Sequence, residues 1–172
     1  LHQHRGNADE LKKQKELLQS IIEHAPLRVF WKDRECRYLG CNSLFAVDAG
    51  LNSPDDLIGK SDFDMGWRDQ AELYRADDQK VMDSGVPKID FEEPQTTPDG
   101  KTIWLSTSKV PLQAGDGEVI GILGIYSDIT ERKNATLELS NYRLHLEQLV
   151  EERTQELSLA KDVAEGASLA KS

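Results

Sequence analysis

Two turn sequences in the second half of the chain restrict the fold more than any other feature. "PDG" at 98–100 and "AGDG" at 114–117 separate three segments with strand-like composition, at 88–97, 101–113 and 118–129. Proline, aspartate and glycine each favour a particular turn position, and such short connections join neighbouring antiparallel strands. We therefore expect residues 88–129 to form three consecutive antiparallel strands.

The first forty residues predict a helix followed by a β-hairpin. Residues 8–25 are polar except for one apolar stripe, and Pro26 ends the helix. The stripe consists of Leu11, Leu18, Ile22 and Ala25. Two short strand candidates follow, "RVFWKD" at 28–33 and "RYLGC" at 37–41, with a turn between them.

Several helices are predicted between the hairpin and the three longer strands. Asn42 or Ser43 can cap a short helix, and Ser53 before Pro54 starts a second one. Residues 68–85 have the pattern of a longer amphipathic helix, with the inward residues Leu73, Tyr74, Val81 and Met82. The predicted fold class is α+β, with helices on one face of a five-stranded antiparallel sheet.

From Thr130 to the end the pattern is that of one long helix, about 43 residues and roughly 65 Å if unbroken. A first heptad frame contains Leu139, Tyr142, Leu146 and Leu149. A second frame, offset by four residues, contains Val150, Arg153, Leu157, Ala160, Ala164 and Ala167. Such an offset is a stutter, which locally unwinds a coiled coil. We expect a parallel homodimer, with residues 1–25 as an N-terminal helix, 26–129 as the core and 130–172 as the dimerisation helix.

Charge and cysteine content exclude several classes of function. The net charge of −10 opposes nucleic-acid binding, which needs a basic surface for the phosphates. The longest apolar run, "VIGILGIY", is too short to span a bilayer, so we expect a cytoplasmic location, with any membrane anchor of a parent protein elsewhere. Cys36 and Cys41, treated as members of one strand, would point to opposite faces and could not form a disulfide. No metal-ligand spacing or catalytic set is present, so we expect no enzyme activity from this chain.

Three segments together resemble a PAS sensor domain with its C-terminal PAC-type segment, as found in bacterial sensor histidine kinases. They are "LLQSIIEHAPLRVFWKDRECRYLGCNSLF", "LIGKSDFDM" and "TPDGKTIWLSTSKVPLQAGDGEVIGILGIYSDITERK". The tail "LEQLVEERTQELSLAKDVAEGASLAKS" resembles the coiled-coil linker that precedes the phosphoacceptor helix of such kinases. The phosphoacceptor histidine motif and the nucleotide-binding glycine boxes of a kinase do not occur in this sequence.

The resemblance implies a sensory input module of a two-component system that binds a small ligand or partner and signals through a dimeric helix to a kinase. The alternative is a ligand-free PAS dimerisation module, with a diguanylate cyclase as another possible output. The residues that would line a ligand pocket are Phe45, Phe63, Trp67, Tyr74, Phe91, Trp104 and Tyr126. The cofactor is open, but the family's haem histidine and flavin-binding Asn-Cys-Arg motif are missing, which argues against haem and covalent flavin.

The joint between the last strand and the long helix is the predicted site of signal transmission. Asp128 and Glu131 have the spacing of a capping box, and Thr130 is the alternative cap. We also expect Asp128 to pair with Lys32 or another base on a neighbouring strand, so that movement of the sheet reaches the helix.

Overall fold

The computed structural model describes residues 2–171, and the chain divides into two compact units between Thr130 and Glu131. The first unit contains the sheet and all helices except the last. The second unit is a single helix. Among the described residues no helix is long and apolar enough to cross a membrane.

The first unit is built on a five-stranded sheet in which all neighbouring strands are antiparallel. Its strands are β1 Arg28–Asp33, β2 Tyr38–Cys41, β3 Lys88–Thr96, β4 Thr102–Gln113 and β5 Val119–Asp128. Their order across the sheet is β2-β1-β5-β4-β3, so β5 lies at the centre. The predicted five-stranded antiparallel sheet is confirmed.

Both predicted turns form between these strands. Gly100 and Gly117 have φ angles of 83° and 87°, a left-handed backbone conformation that glycine adopts without steric cost. The amide of Thr97 donates to the carbonyl of Lys101, and that of Ala114 donates to Glu118. These bonds set the register of the β3–β4 and β4–β5 hairpins.

The helices of the structure are α1 His2–His24, α2 Ser43–Asp48, α3 Ala71–Ser84 and α4 Thr130–Lys171. Three short 3-10 helices lie between α2 and α3, at Pro54–Leu57, Asp62–Asp64 and Arg68–Gln70. The predicted start of α1 at residue 8 is wrong, because the helix already includes His2.

The core lies between one face of the sheet and the shorter helices. Aromatic rings fill most of it, and Phe45 contacts the rings of Phe30, Tyr38, Trp67 and Tyr126. The inward positions of α3 are Ala71, Tyr74, Asp78, Val81 and Met82. Leu73 is 53% exposed, so its predicted inward position is wrong. It lies one residue, or about 100° of helix rotation, away from the buried stripe.

The two cysteines are both buried and free. Cys41 lies at the end of β2, whereas Cys36 lies in the β1–β2 turn with a φ of 61°. The two cysteines therefore do not share a strand, and Cys36 lies in the turn predicted between the two strands.

Asn42 joins three elements through one fully buried side chain. Its carboxamide oxygen accepts from the amides of Val29 and Phe45, which caps α2. Its amide nitrogen donates to the carbonyls of Ile22 and Leu27, at the end of α1 and the start of β1. The predicted cap is confirmed, and the same side chain also fixes the end of α1 to the sheet.

We expect Asn42→Ala to lower the free energy of unfolding by about 2–3 kcal/mol, because the cap is lost and buried backbone groups lose their partners. Urea denaturation followed by circular dichroism measures this loss. The matched control is Asn52→Ala at an exposed position, where we expect a change within about 0.5 kcal/mol. Equal effects of the two substitutions would contradict this role of Asn42.

Candidate functional site

Four charged side chains form an ion cluster inside the core of the first unit. Lys32 Nζ lies 2.6 Å from Asp62 Oδ2 and 2.7 Å from Asp78 Oδ2. Lys109 Nζ lies 2.8 Å from Asp78 Oδ1. All four side chains are at most 4% exposed. We call Lys32, Asp62, Asp78 and Lys109 the core charge cluster.

The backbone of four separate elements directs these side chains inward. On β1, Lys32 follows Phe30 at the spacing of two that keeps side chains on one face of a strand. On β4, Lys109 follows Leu105 and Thr107 in the same way. Asp78 lies one helical turn after Tyr74 on the buried stripe of α3.

Asp62 begins the second 3-10 helix and receives three hydrogen bonds or ion pairs. Besides Lys32, the Tyr38 hydroxyl donates to its Oδ1 at 2.6 Å and the Trp67 indole nitrogen donates at 2.8 Å. Burial alone would raise the pKa of Asp62, but the charge of Lys32 and these hydrogen bonds outweigh it and the pKa is lowered. Asp62 is therefore held as a carboxylate.

The ammonium group of Lys32 is held in its charged form by its two carboxylate partners. Burial alone would lower its pKa, but the nearby charges of Asp78 and Asp62 raise the pKa above its ordinary value. The side chain also lies over the rings of Phe30 and Tyr38, with Nζ at 5.3 and 4.7 Å from the ring centres. These aromatic faces add a favourable contact for a desolvated cation.

A fifth ionisable side chain, Glu93 on β3, lies on the wall of the same interior. It is 7% exposed, and its Oε2 atom has no hydrogen-bond partner. Burial raises the pKa of Glu93, and the charge of Lys109 and the Thr107 hydroxyl oppose that effect only in part. The Thr107 hydroxyl lies close enough to Glu93 to lower this pKa, although its Oγ1 atom forms no hydrogen bond of normal geometry.

The interior around these groups leaves a small polar cavity of about 20 Å³. This volume accommodates a single water molecule, whereas pockets for organic ligands usually enclose about 300–1,000 Å³. Charged and aromatic side chains therefore occupy the region between the sheet and the helices where a ligand was expected.

Four of the seven predicted pocket residues lie together around this cavity: Phe45, Trp67, Tyr74 and Tyr126. All four are buried. Phe91 lies on the same sheet face but at its edge, half-buried beneath Lys88. Their role as ligand contacts stays a prediction.

The structure does not bring the other two predicted residues, Phe63 and Trp104, to the core. Phe63 is 47% exposed, because the 3-10 turn that buries Asp62 directs the next side chain outward. Trp104 lies on the opposite face of the sheet from its neighbour Leu105, as strand alternation requires. Their predicted place in a core pocket is wrong.

A larger groove, about 650 Å³ and open to solvent, lies between α1 and the β1–β2 hairpin. Leu18 and Ile22 form one wall, and Trp31 and Leu39 form the other. Leu18 and Ile22 belong to the apolar stripe predicted on α1, but the groove itself was not predicted. The second wall was missed, because Trp31 was not singled out within its strand.

Three of the four predicted transmission residues, Asp128, Thr130 and Glu131, lie where β5 ends and α4 begins, whereas Lys32 lies on β1. The carboxylate of Asp128 accepts from the amide of Thr130 at 2.9 Å. The Thr130 hydroxyl oxygen accepts from the amide of Trp104 on β4 at 2.8 Å. Glu131 is exposed in the first turn of α4, and its part in a capping box stays a prediction.

The expected pairing of Asp128 with Lys32 is wrong. Lys32 faces Ile122 across β1 and β5, which is six residues from Asp128 along β5. At about 3.3 Å per residue these positions are roughly 20 Å apart. The Lys32 side chain instead extends beneath the sheet to Asp62 and Asp78.

Sequence reasoning missed the core charge cluster, although part of its signal was present. Lys32 and Lys109 occupy inward positions of their strands, in line with buried apolar residues, and Asp78 occupies the inward stripe of a helix. Buried charges are rare unless they are paired, so these three positions together indicated mutual pairing. Within residues 2–171, histidine, cysteine and acidic side chains form no group arranged to hold a metal ion.

We expect Lys32→Met to lower the free energy of unfolding by about 3–5 kcal/mol, because it leaves a buried carboxylate without its cation. The stabilisation from Asp62 is present above its unfolded pKa of about 3.9 and is lost as the pH falls through its lower folded pKa. Urea denaturation between pH 3 and 7 should show that the unsubstituted chain loses stability as the pH falls, and that the variant loses less.

The matched control is Lys101→Met, since the Lys101 side chain is 81% exposed. We expect that substitution to change the free energy of unfolding by no more than about 0.5 kcal/mol. Indistinguishable unfolding curves for the two variants would contradict a structural role of the core charge cluster.

Comparisons with known proteins agree with this architecture. A model of the family described as the PAS fold matches residues 22–134. The aerobic respiration control sensor protein ArcB of Escherichia coli is 28% identical over 120 residues, 70% of this chain and 15% of ArcB. A diguanylate cyclase of Vibrio cholerae is 30% identical over 112 residues, 64% of this chain and 35% of that protein.

A solved structure is similar as well, the PAS domain of BvgS from Bordetella pertussis. It matches with a TM-score of 0.57 and 24% identity, over 76% of this chain and 97% of that domain. The family match contains all five strands and the helices between them. This chain therefore belongs to the PAS fold family.

Proposed function

We propose that this chain is the input module of a dimeric sensor protein, in which a change in the PAS core is passed through β5 and α4 to an output domain. The observation behind this proposal is the direct continuation of the central strand into a helix of 42 residues. Only Ile129 separates the end of β5 from the start of α4.

Backbone hydrogen bonds fix the start of α4 to the neighbouring strand. Trp104 on β4 donates its amide to the Thr130 hydroxyl and accepts the Ile129 amide on its carbonyl, both at 2.8 Å. Ile129 itself is buried. A shift of β4 relative to β5 would therefore move the first residue of α4, which supports a role of this joint in transmission.

The proposed dimer interface is the apolar stripe of α4. Leu139, Tyr142, Leu146 and Leu149 are between 41% and 69% exposed, and they share one heptad frame. A lone helix of this length cannot bury such a stripe, whereas a parallel coiled coil can. The stripe of α1, with Leu11 and Leu18 more than half exposed, is proposed as a second contact between protomers.

The proposed output domain is a histidine kinase. The relatives ArcB and BvgS are described as sensor proteins, and the chain spans 15% and 10% of their lengths. A diguanylate cyclase is the second candidate, because a protein of that description is 30% identical to this chain. The joint and the helix would serve either output.

The proposal also specifies where the stimulus acts. A core cavity of about 20 Å³ does not favour an organic ligand between the sheet and the helices, so we propose a stimulus that acts on the buried ionisable side chains of the core. A retained organic ligand in native mass spectrometry of freshly purified protein would contradict this part and favour the predicted small-molecule sensor.

We expect Thr130→Val to uncouple input from output in the full-length protein while the PAS core stays folded. The substitution keeps the shape of the side chain but removes the acceptor for the Trp104 amide, which costs about 1 kcal/mol. Output activity with and without the stimulus, together with thermal unfolding of this chain, measures both effects.

The matched control is Thr136→Val, since within residues 2–171 the Thr136 hydroxyl donates to the carbonyl of Arg132, one turn earlier in α4. We expect this variant to signal normally. Normal regulation in the Thr130 variant would refute transmission through this joint.

We expect Leu146→Glu to weaken self-association of this chain by at least about tenfold, because a charge would enter the heptad seam. Leu144→Glu is the control, since residue 144 lies about 200° around the helix from residue 146 and is similarly exposed. Sedimentation equilibrium measures both dissociation constants. A monomeric parent chain, or equal effects of the two variants, would exclude this interface.

A further inference from the structure

The core charge cluster is electrically balanced without Glu93. Lys32 and Lys109 contribute two positive charges, and Asp62 and Asp78 contribute two negative charges. An ionised Glu93 adds one uncompensated negative charge to the same interior, whereas a protonated Glu93 leaves it neutral. An unbalanced buried charge is costly, so this carboxyl has a physical reason to bind a proton.

The direct surroundings of Glu93 do not supply a counter-ion. In the described part of the chain Glu93 forms no ion pair. Lys109 is the cation whose charge lowers the pKa of Glu93, but its ammonium group is paired with Asp78. From α3, Asp77 and Asp78 raise the pKa of Glu93 further, and the buried Tyr74 hydroxyl donates to the carbonyl of Pro94.

The other elements around Glu93 do not change this balance. Lys32 and Asp62 line the same cavity and neutralise each other. Two tyrosine hydroxyls also line it, and both donate to aspartates, Tyr38 to Asp62 and Tyr126 to Asp48. The third 3-10 helix, which packs against β3, presents the neutral Gln70 to the Thr96 amide. Its charged residues Arg68 and Asp69 are exposed.

Strand register places Glu93 in line with the joint. Glu93 on β3 is the direct partner of Leu105 on β4, and Leu105 is the direct partner of Asp128 on β5. Neighbouring strands are about 4.8 Å apart, so the row spans roughly 10 Å. Trp104, which binds Ile129 and Thr130, immediately precedes Leu105.

We propose that Glu93 is a proton-binding site that makes the PAS core sensitive to acidity, with the row from Glu93 through Leu105 to Asp128 linking it to the start of α4. The proton comes from water and converts the carboxylate to a neutral acid. This proposal rests on the proposed input function and names its stimulus.

The sign of the effect follows from the raised pKa of Glu93. The folded chain holds this proton more tightly than the unfolded chain, so the contribution to stability is complete below the unfolded pKa of about 4.3. It is lost as the pH rises through the higher folded pKa. Two forms of the folded core, with Glu93 neutral or charged, are therefore populated on either side of that value.

The test is an NMR titration of the full chain between pH 4 and 8. With carbon-13-labelled glutamate, we expect the Glu93 carboxyl to titrate above the ordinary glutamate pKa of about 4.3. The amides of Trp104 and Thr130 should shift with the same midpoint. Glu93→Gln should abolish that transition, while the exposed Glu35→Gln should leave it unchanged.

A second variant keeps the test decisive if Glu93→Gln does not fold. Thr107→Val removes the hydroxyl that lowers the pKa of Glu93, so its midpoint should rise further. An ordinary Glu93 midpoint, or amides of Trp104 and Thr130 that do not follow it, would overturn the proposal.

The two proposals fail separately. If Glu93 titrates at an ordinary pKa and the output still requires Thr130, the proton site is excluded and the input function stands. If Glu93 titrates at a raised pKa and Thr130→Val leaves the output unchanged, the proton site stands and the input function is excluded.

Discussion

The carboxylate of Asp78, shared by two buried lysines, is the interaction on which the arrangement of the core depends. It joins α3 to β1 through Lys32 and to β4 through Lys109, at 2.7 and 2.8 Å. Removing these charges from water costs several kcal/mol for each ion, and that cost is offset only when each partner is in place. The position of α3 on the sheet therefore depends on charge pairing as well as on apolar packing.

Much of the fold could be predicted from sequence because local signals agree with it. The turns at 98–100 and 114–117, the Asn42 cap and the alternating strands each act over a few residues, and all of them formed. The core charge cluster depends instead on Lys32 and its two aspartate partners, which lie 30 and 46 positions away in the sequence. No local sequence pattern predicts such a pairing. The pairing of Asp128 with Lys32 failed for the same reason, since strand register decides which residues face each other. The prediction that Phe63 and Trp104 line a core pocket was wrong because aromatic composition does not determine which face of an element a side chain occupies.

The same sheet also explains why the joint and the interior are close to each other. β5 is the central strand, with β1 on one side and β4 on the other. Lysines of the cluster lie on both of these neighbours, and Trp104 of β4 holds the residues that begin α4. The relative positions of three adjacent strands therefore determine both the packing of the buried ions and the placement of Thr130.

Asn42 couples the end of α1 mechanically to β1 and α2. Its side chain ties the carbonyls of Ile22 in α1 and Leu27 before β1 to two amides, that of Phe45 in the first turn of α2 and that of Val29 in β1. A tensile force along α1 reaches β1 through the backbone of residues 25–27, and the Asn42 hydrogen bonds hold this short segment against α2. Since β1 borders the central strand, the end of α1 lies only two strands away from the residues that lead into α4.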